Sequence, residues 1–313
     1  MEELNIDPLT ESNLSSVYTM CEENVLFYSF SFDTFKRATL MDEDYNPELS
    51  LVAVDENNTP IAFFFAVFRR CILPKSRNKL VIKMFVVEKN YRYRGIGTEM
   101  MNKLFKRAKQ QKNAVWRMKV SIMDSNPRYW LPGLDPRHTE AYFFLRKLGF
   151  KNNFFERFRT DLGVDKDNFP KEEPLKEING YKISRTLQKD KEETVAFIKK
   201  HFGKGTWPEE TLISFENDPS TTFIVRDINN YKIVGFATHS AQHPGSFGPT
   251  GVLRNLRGKG IGGLLLKWCL WDIKQMGIDK CIIKWVAGRT KYFYLKSAKA
   301  RIFQIFWPMS RRI

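Results

Sequence analysis

The chain has 313 residues, of which 42% are hydrophobic, 14% aromatic and 27% charged, which supplies apolar material for packed cores and excludes a globally disordered chain. That length suits two domains of about 150 residues each better than a single core. Lys and Arg number 51 against 35 Asp and Glu, and the net charge of +16 calls for a polyanionic partner; the basic residues are dispersed rather than gathered on one arm, which favours one or two phosphate sites over a nucleic-acid reader.

The opening MEELNIDPLTESN lacks a basic start followed by an apolar run, and no stretch approaches 18 uninterrupted apolar residues. A cytoplasmic protein with no membrane partner is therefore expected. Cys21, Cys71, Cys269 and Cys281 form no C-x-x-C pair and read as reduced core residues. The four histidines share no ligand spacing with them, so no metal site is expected.

In the first half, strand-like runs at 49–54, 60–68 and 80–87 are rich in Val, Ile and Phe, with the turn DENNTP between the first two, and together make a meander. After a basic loop at 91–95, GTEMMNKLFKRAKQQ places Met100, Met101, Leu104 and Ala108 at helical spacing. WRMKVSIM (116–123) returns as a strand. In the turn-rich DSNPRYWLPGLDP (124–136), Asp135 is expected to cap a helix with Pro136 at its first position, carrying the stripe Ala141, Phe144, Leu145, Leu148 and stopping at Gly149.

The second half repeats the plan after a charged stretch at 164–182. A strand at 183–187, helices at 192–202 and 208–216, and strands at 222–225 and 232–238 lead to a β-like segment ending GPTGVL (248–253). A helix at 261–276, a strand at 281–286, a helix at 291–298 and an aromatic strand at 302–307 complete it.

The two basic loops carry the chemistry. In RGKGIG (257–262), three glycines in five positions permit positive φ and let successive N–H groups converge on an anion. The following helix N-terminus adds about 0.3–1 kcal/mol of attraction, and Arg257 and Lys259 bring full charges, the outline of a pyrophosphate site. The plain alternative is a tight strand-to-helix turn with a solvated basic face; recurrence in a matching context at 92–97 weighs against it. A dinucleotide loop would follow the first strand of an alternating series, not a meander, and the Walker ending G-K-[ST] is missing.

Arg92–Gly97 and Arg257–Gly262 both read R-x-x-G-x-G, after a meander and before an amphipathic helix. In this the chain resembles the GNAT superfamily of N-acetyltransferases, as a tandem pair covering nearly its whole length. YWLPGLDPRHTEA and SFGPTGVLRNLRGKGIGGLLL are similar to phrases of two-domain bacterial acetyltransferases, some of which acetylate amino sugars such as glucosamine. The resemblance implies an α/β fold with mixed sheets (α+β in style), with a GNAT-like acyl-CoA N-acyltransferase domain over 1–165 and a second over 178–313.

The resemblance also implies acetyl-CoA as co-substrate. Its phosphates would lie on Arg257, Gly258, Lys259, Gly260, Ile261 and Gly262, and in the first copy on Arg92, Arg94, Gly95 and Gly97. A backbone N–H near Val252, next to Leu253, and near Val87 in the first copy, would bind the thioester carbonyl as it becomes an oxyanion; both valines equally suit plain strand core. The phrase Phe293, Tyr294, Leu295, Lys296 is similar to the family's F-Y-x-K, which makes Tyr294 the proton donor to the leaving thiolate. The glycine usual after that phrase is missing. The first copy has Leu145 where Tyr294 stands, so the second domain is the expected catalyst and the first is expected to bind CoA weakly or not turn over.

The general base is left open among His239, His243, Glu209, Glu210, Glu216 and a water relay. Tyr129 and Trp130 suit stacking on a sugar or a domain interface equally. The expected acceptor is a primary amine on a small molecule, an amino sugar first, attacked directly in a ternary complex because no cysteine stands where a covalent intermediate would need it. Rival readings are acylation of a protein N-terminus or an aminoglycoside, a catalytically inactive CoA-binding sensor, and a nucleic-acid module.

Overall fold

The computed structural model describes residues 4–70, 78–129, 131–153, 158–203 and 205–313. Two compact units divide it: residues 1–158 with 306–313, and residues 159–305.

The first unit contains strand β1 (Asn5–Asp7), helices α1 (Leu14–Asn24) and α2 (Phe32–Ala38), strands β2 (Ser50–Val54), β3 (Pro60–Arg70) and β4 (Asn78–Val87), helix α3 (Ile96–Gln110), strand β5 (Lys119–Ile122), helix α4 (Thr139–Lys147) and strand β6 (Lys151–Asn152). The C-terminal strand β15 (Met309–Arg312) joins them, giving a seven-stranded sheet in the order β1-β2-β3-β4-β5-β15-β6. β4 and β5 run parallel; the other described pairs are antiparallel. The run PIAFFFAVF in β3 is apolar on both faces because both are covered: Phe64, Ala66 and Phe68 meet the stripe Met100, Met101, Leu104 of α3, while Phe63, Phe65 and Val67 meet α1 and α2. Each such phenylalanine buries about 1.5–3 kcal/mol of transfer free energy.

The second unit contains β7 (Arg159–Asp165), β8 (Glu177–Ile178), β9 (Tyr181–Arg185), α5 (Lys191–Phe202), α6 (Trp207–Ser214), β10 (Thr222–Asp227), β11 (Ile233–His239), β12 (Ser246–Val252), α7 (Ile261–Gln275), β13 (Lys280–Val286), α8 (Thr290–Ala298) and β14 (Arg301–Phe306). Its sheet has eight strands, ordered β14-β7-β13-β12-β11-β10-β9-β8, with β12 and β13 parallel. One face packs on α7 through Leu264, Leu265, Cys269 and Ile273; the other packs on α5 through Phe197 and Ile198, which meet Ile224 and Phe236.

Each sheet places a strand from the far end of a sequence half between its last two members. β15 lies between β5 and β6, and β7 lies between β13 and β14. The units' edges accordingly fall at 158/159 and 305/306 rather than along the expected ranges 1–165 and 178–313. Met309 is buried in the first core, and the Arg311 guanidinium lies over the Phe105 and Phe150 rings at 5.3 and 5.9 Å and donates to the Leu148 carbonyl. In the second unit, Leu162 and Val164 of β7 are core residues.

The expected cap at Asp135 is not formed as read. Helix α4 begins at Thr139, and the buried Asp135 carboxylate accepts the Arg137 backbone N–H at 2.9 Å and the Arg137 guanidinium at 2.7 Å. Cys21, Cys269 and Cys281 are buried free thiols; Cys71 and Trp130 lie outside the described residues. Among the described residues no helix is long and apolar enough to cross a membrane.

Removing residues 309–313 takes out a strand paired to Ser121 and Lys119. Hydrogen exchange is expected to show lost protection across Lys119–Ile122 with Lys280–Val286 unchanged. Equal loss in both segments would contradict the pairing.

Candidate active site

In the second unit the chain leaves β12 at Val252, makes a short 3-10 turn at Arg254–Leu256, and enters α7 through Arg257, Gly258, Lys259 and Gly260. Gly258 and Gly260 both stand at φ +85°, a left-handed backbone that glycine adopts without steric cost. The N–H groups of residues 258–263 donate to no acceptor among the described residues, and they converge at the helix N-terminus, where the partial charge is positive. Arg257 Nε–H donates to the Val252 carbonyl at 3.3 Å, tying the loop's arginine to the end of the strand.

That strand parts from its parallel neighbour. β12 pairs with β13 at Ser246↔Ile282 and Phe247↔Ile283 and no further, although both strands continue. Gly248 at φ +127° and Pro249, which has no N–H, follow the last pair. Farther along, Leu253 N–H donates to Val234 O on β11 at 3.0 Å. Because successive N–H groups along a strand point to opposite edges, Val252 N–H points away from β11, into the gap.

Tyr294 lies on α8, 5% exposed, with its ring 5.9 Å from Phe247 in an edge-to-face contact. Its hydroxyl makes no hydrogen bond with a described residue. Burial pushes its pKa well above that of an ordinary phenol, with the neighbouring Cys281 and Cys269 thiols adding to the rise, so it stays protonated at neutral pH. A pair of equivalent contacts fixes its register against the first copy: the Phe144 ring packs at Gly97 and the Phe293 ring at Gly262. Tyr294 thus corresponds to the buried Leu145. Where α4 is followed by Gly149 at φ +81°, α8 ends one residue later on Lys299 at φ +51°, which accounts for the missing glycine.

The general-base candidates fall in different places. His239 is fully buried; its Nε2 lies 2.8 Å from Asp272 and its Nδ1 3.0 Å from Ser240 Oγ. Burial works to raise the Asp272 carboxyl, but hydrogen bonds from His239 and Arg185 outweigh it and hold it at about 2. This buried His–Asp–Arg network was not foreseen, and it occupies both nitrogens of His239. Half-buried His243 is lowered to about 4 by desolvation and by the charge of Lys284, which makes it a weak base. Glu209 and Glu216 are exposed. Glu210 is 6% exposed on α6, accepting from Thr206 Oγ1 at 2.8 Å and Gln242 Nε2 at 3.3 Å. Burial raises it to about 7, against the lowering effect of those two bonds.

The first unit repeats this backbone with different side chains. Gly95 has the same φ of +85° as Gly260, and Arg92 Nε–H donates to Val87 O at 3.0 Å. β4 leaves β5 after Ile82↔Ile122, and Glu88 N–H donates to Ile61 O at 2.9 Å, so Val87 N–H faces its own gap. Here, however, Arg92 is paired with Glu140 at 2.9 Å, and Asn24 Oδ1 accepts from it at 3.3 Å. Tyr93, left-handed at φ +62° where the second copy has Gly258, donates to the same Glu140. The register fixed by Phe144 and Phe293 sets Arg289 opposite Glu140. In the first unit the loop's arginine meets that carboxylate; the corresponding position of the second unit carries the exposed Arg289. Arg94 lies over the Tyr91 ring at 5.2 Å, and Tyr129, which suited stacking on a sugar or a domain interface equally, is 5% exposed.

The model of the acetyltransferase (GNAT) family matches residues 17–129 and again 187–292. Among solved structures, the GCN5-related glucosamine N-acetyltransferase region of a fungal multi-domain GH3 β-N-acetylglucosaminidase superposes with a TM-score of 0.75 at 16% identity, over 98% of this chain and 38% of that one. A GCN5-related N-acetyltransferase from Sphaerobacter thermophilus gives 0.71 at 14% identity, covering 100% and 96%. A tandem GNAT protein from the clavulanic acid biosynthesis pathway gives 0.69 at 13% identity, covering 99% and 98%. At these identities the likeness is one of fold. No curated protein sequence matches significantly.

The loop geometry has a direct test in stability. Gly260→Ala forces a side chain into the left-handed region and is expected to cost about 1–2 kcal/mol in urea denaturation. Gly263→Ala, in open space on α7, is expected to be neutral or to gain up to about 1 kcal/mol. The reverse ranking would mean that the loop has another conformation.

Proposed function

Because this chain belongs to the acetyltransferase (GNAT) family, whose members use an acyl-CoA, we propose that its second unit transfers acetyl from acetyl-CoA to a primary amine of a small molecule, an amino sugar such as glucosamine being the first candidate. One observation carries the reading: a row of N–H donors at 258–263 with no acceptor among the described residues leads into α7 beside an opened strand pair, where the Tyr294 ring lies 5.9 Å from Phe247. The donor row and the left-handed glycines support a diphosphate there. In the first unit Glu140 neutralises Arg92 and opposes one. The fungal neighbour's glucosamine N-acetyltransferase region supports the choice of acceptor. Buried, free thiols suit a reducing, cytoplasmic setting.

In this mechanism the N–H groups of 258–263 hold the pyrophosphate and Arg257 holds the Val252–Leu253 peptide, next to the one that carries Val252 N–H. Val252 N–H, fixed before the reaction and sheltered from water, stabilises the oxyanion that forms when the amine attacks; donors of this type contribute roughly 3–4 kcal/mol. Tyr294 gives its proton to the departing thiolate. The dry surroundings that raise its pKa penalise a bare thiolate as well, so the transfer stays favourable. Attack is direct, with both substrates bound together.

Tyr294→Phe is expected to lower kcat by roughly 10²-fold while calorimetry shows unchanged acetyl-CoA binding, one molecule per chain. Arg92→Glu is expected to leave both nearly as they are. Intact turnover in Tyr294→Phe together with its loss in Arg92→Glu would assign catalysis to the first unit. Acetyl-CoA binding without thiol release for any amine would favour a sensor.

A further inference from the structure

The face of the second sheet opposite α7 carries a second polar group at the gap. α6 packs on β11 and β12, and its first turn holds Trp207, 36% exposed, with Glu210 one turn further on the same side of the helix. Trp207 belongs to an aromatic cluster: its ring lies 5.8 Å from Phe202 and 6.2 Å from Phe236. Phe202 rests on Gly251, so closely that a Cβ there would meet the ring at 2.8 Å, and Gly251 precedes Val252. The plate therefore lies beside the strand segment whose N–H faces the gap.

Glu210 is joined to the base of that gap. Gln242 donates to its carboxylate, and Gln242 backbone N–H donates to Ser246 Oγ at 3.2 Å, one residue before Phe247. Phe247 packs on the α7 face beside Tyr294, so Ser246 and Glu210 lie toward the other face. One carboxylate oxygen accepts from Thr206 and the other from Gln242, which leaves lone pairs on both for a further donor. A buried carboxylate next to an exposed indole face suits a cation carried on a ring.

We propose that Glu210 binds and deprotonates the ammonium of a ring-borne primary amine, an amino sugar, whose apolar ring face lies on Trp207. This rests on the acetyl-transfer reading above and gives its acceptor site named residues. The ammonium gives one proton to the Glu210 carboxylate; the neutral nitrogen forms the C–N bond and the C–S bond breaks. Sulfur takes the Tyr294 proton, and the second amine proton restores the phenol through solvent. Glu210 then releases its proton to water, so one proton leaves per turnover.

A carboxyl at about 7 is matched to this task near neutral pH. Among the described residues, Glu209 is the charged neighbour that raises it. On the elements packed against α6, His201 on α5 makes a tilted contact with Phe197 and an edge contact with Phe202, Lys199 and Lys200 on α5 are exposed, and His239 on β11 is bound to Asp272.

The test is a pH profile of kcat/KM with glucosamine and with ethanolamine as an open-chain amine. Wild type should show an acid limb near 7, activity rising as Glu210 loses its proton. Glu210→Gln should lose the limb and fall by roughly 10²–10⁴-fold. Thr206→Val removes a bond that holds the pKa down and should move the limb upward. Trp207→Ala should raise KM for glucosamine by roughly tenfold with kcat held, Trp207→Phe should restore it, and ethanolamine should be indifferent to both. An acid limb retained in Glu210→Gln, or equal Trp207→Ala effects on both amines, overturns the assignment while leaving acetyl transfer intact. Acetyl-CoA binding with no thiol release from either amine refutes the transfer reading itself, and this assignment with it.

Discussion

The geometry of the second unit follows from one constraint: β12 and β13 are parallel neighbours that stop pairing after Phe247↔Ile283. Parallel strands that separate leave alternate N–H groups of each edge without a partner, and a buried donor left unmet costs roughly 1–3 kcal/mol. In the second unit Val252 N–H lies on the side of that separation and meets no backbone acceptor among the described residues. Arg257 Nε–H on the Val252 carbonyl ties the next peptide, Val252–Leu253, to the loop. The bond also couples the two halves of the site. An arginine expected to meet phosphates holds the strand end, and Arg92 makes the same bond to Val87.

The two units show how one backbone supports different electrostatics. Both have the glycine at φ +85°, the arginine-to-strand bond and the opened strands. They differ in the side chains at corresponding positions: Tyr93 against Gly258, Glu140 against Arg289, Leu145 against Tyr294. In the first unit a tyrosine occupies the loop crest, a carboxylate meets the loop's arginine, and an apolar side chain stands where the second unit has a phenol. Tyr93 even accepts a left-handed backbone that costs a non-glycine residue about 1–2 kcal/mol, and its hydroxyl meets Glu140 in return.

Much of this was legible because it is local. The loops, the meanders and the amphipathic α3 and α7 announce themselves through glycine spacing and periodicity, and Tyr294 through its neighbours in sequence. The strand exchange was not legible. RTDLGVD and MSRR are short, charged and without alternation, and they become strands because each fills a vacant position in a sheet whose other members are distant in sequence. Helices α1 and α2 gave a weak signal before the first meander. Asp135 had the spacing of a cap, but the fold buries its carboxylate against Arg137. Glu210 looked like one of several surface glutamates, since burial of a single helix position depends on what packs over it. Its neighbour Glu209 has the same chemistry and faces solvent.

The two faces of the second sheet also bear on how the proposed reaction is ordered. Tyr294 and the loop's helix lie with α7 and α8, whereas Glu210 and Trp207 lie on the face covered by α5 and α6. Substrates approaching from opposite faces meet only where the sheet is open, and the interval between β12 and β13 is such an opening. That arrangement favours a ternary complex over a covalent relay, because a relay needs a nucleophile that sees both substrates in turn. Among the described residues Cys269 and Cys281 neighbour Tyr294, and burial pushes both far above the ordinary thiol range. A thiol that cannot ionise in the core is a poor acceptor for an acetyl group, which agrees with the proposed direct attack by the amine, whose proton would then leave by the face on which it arrived.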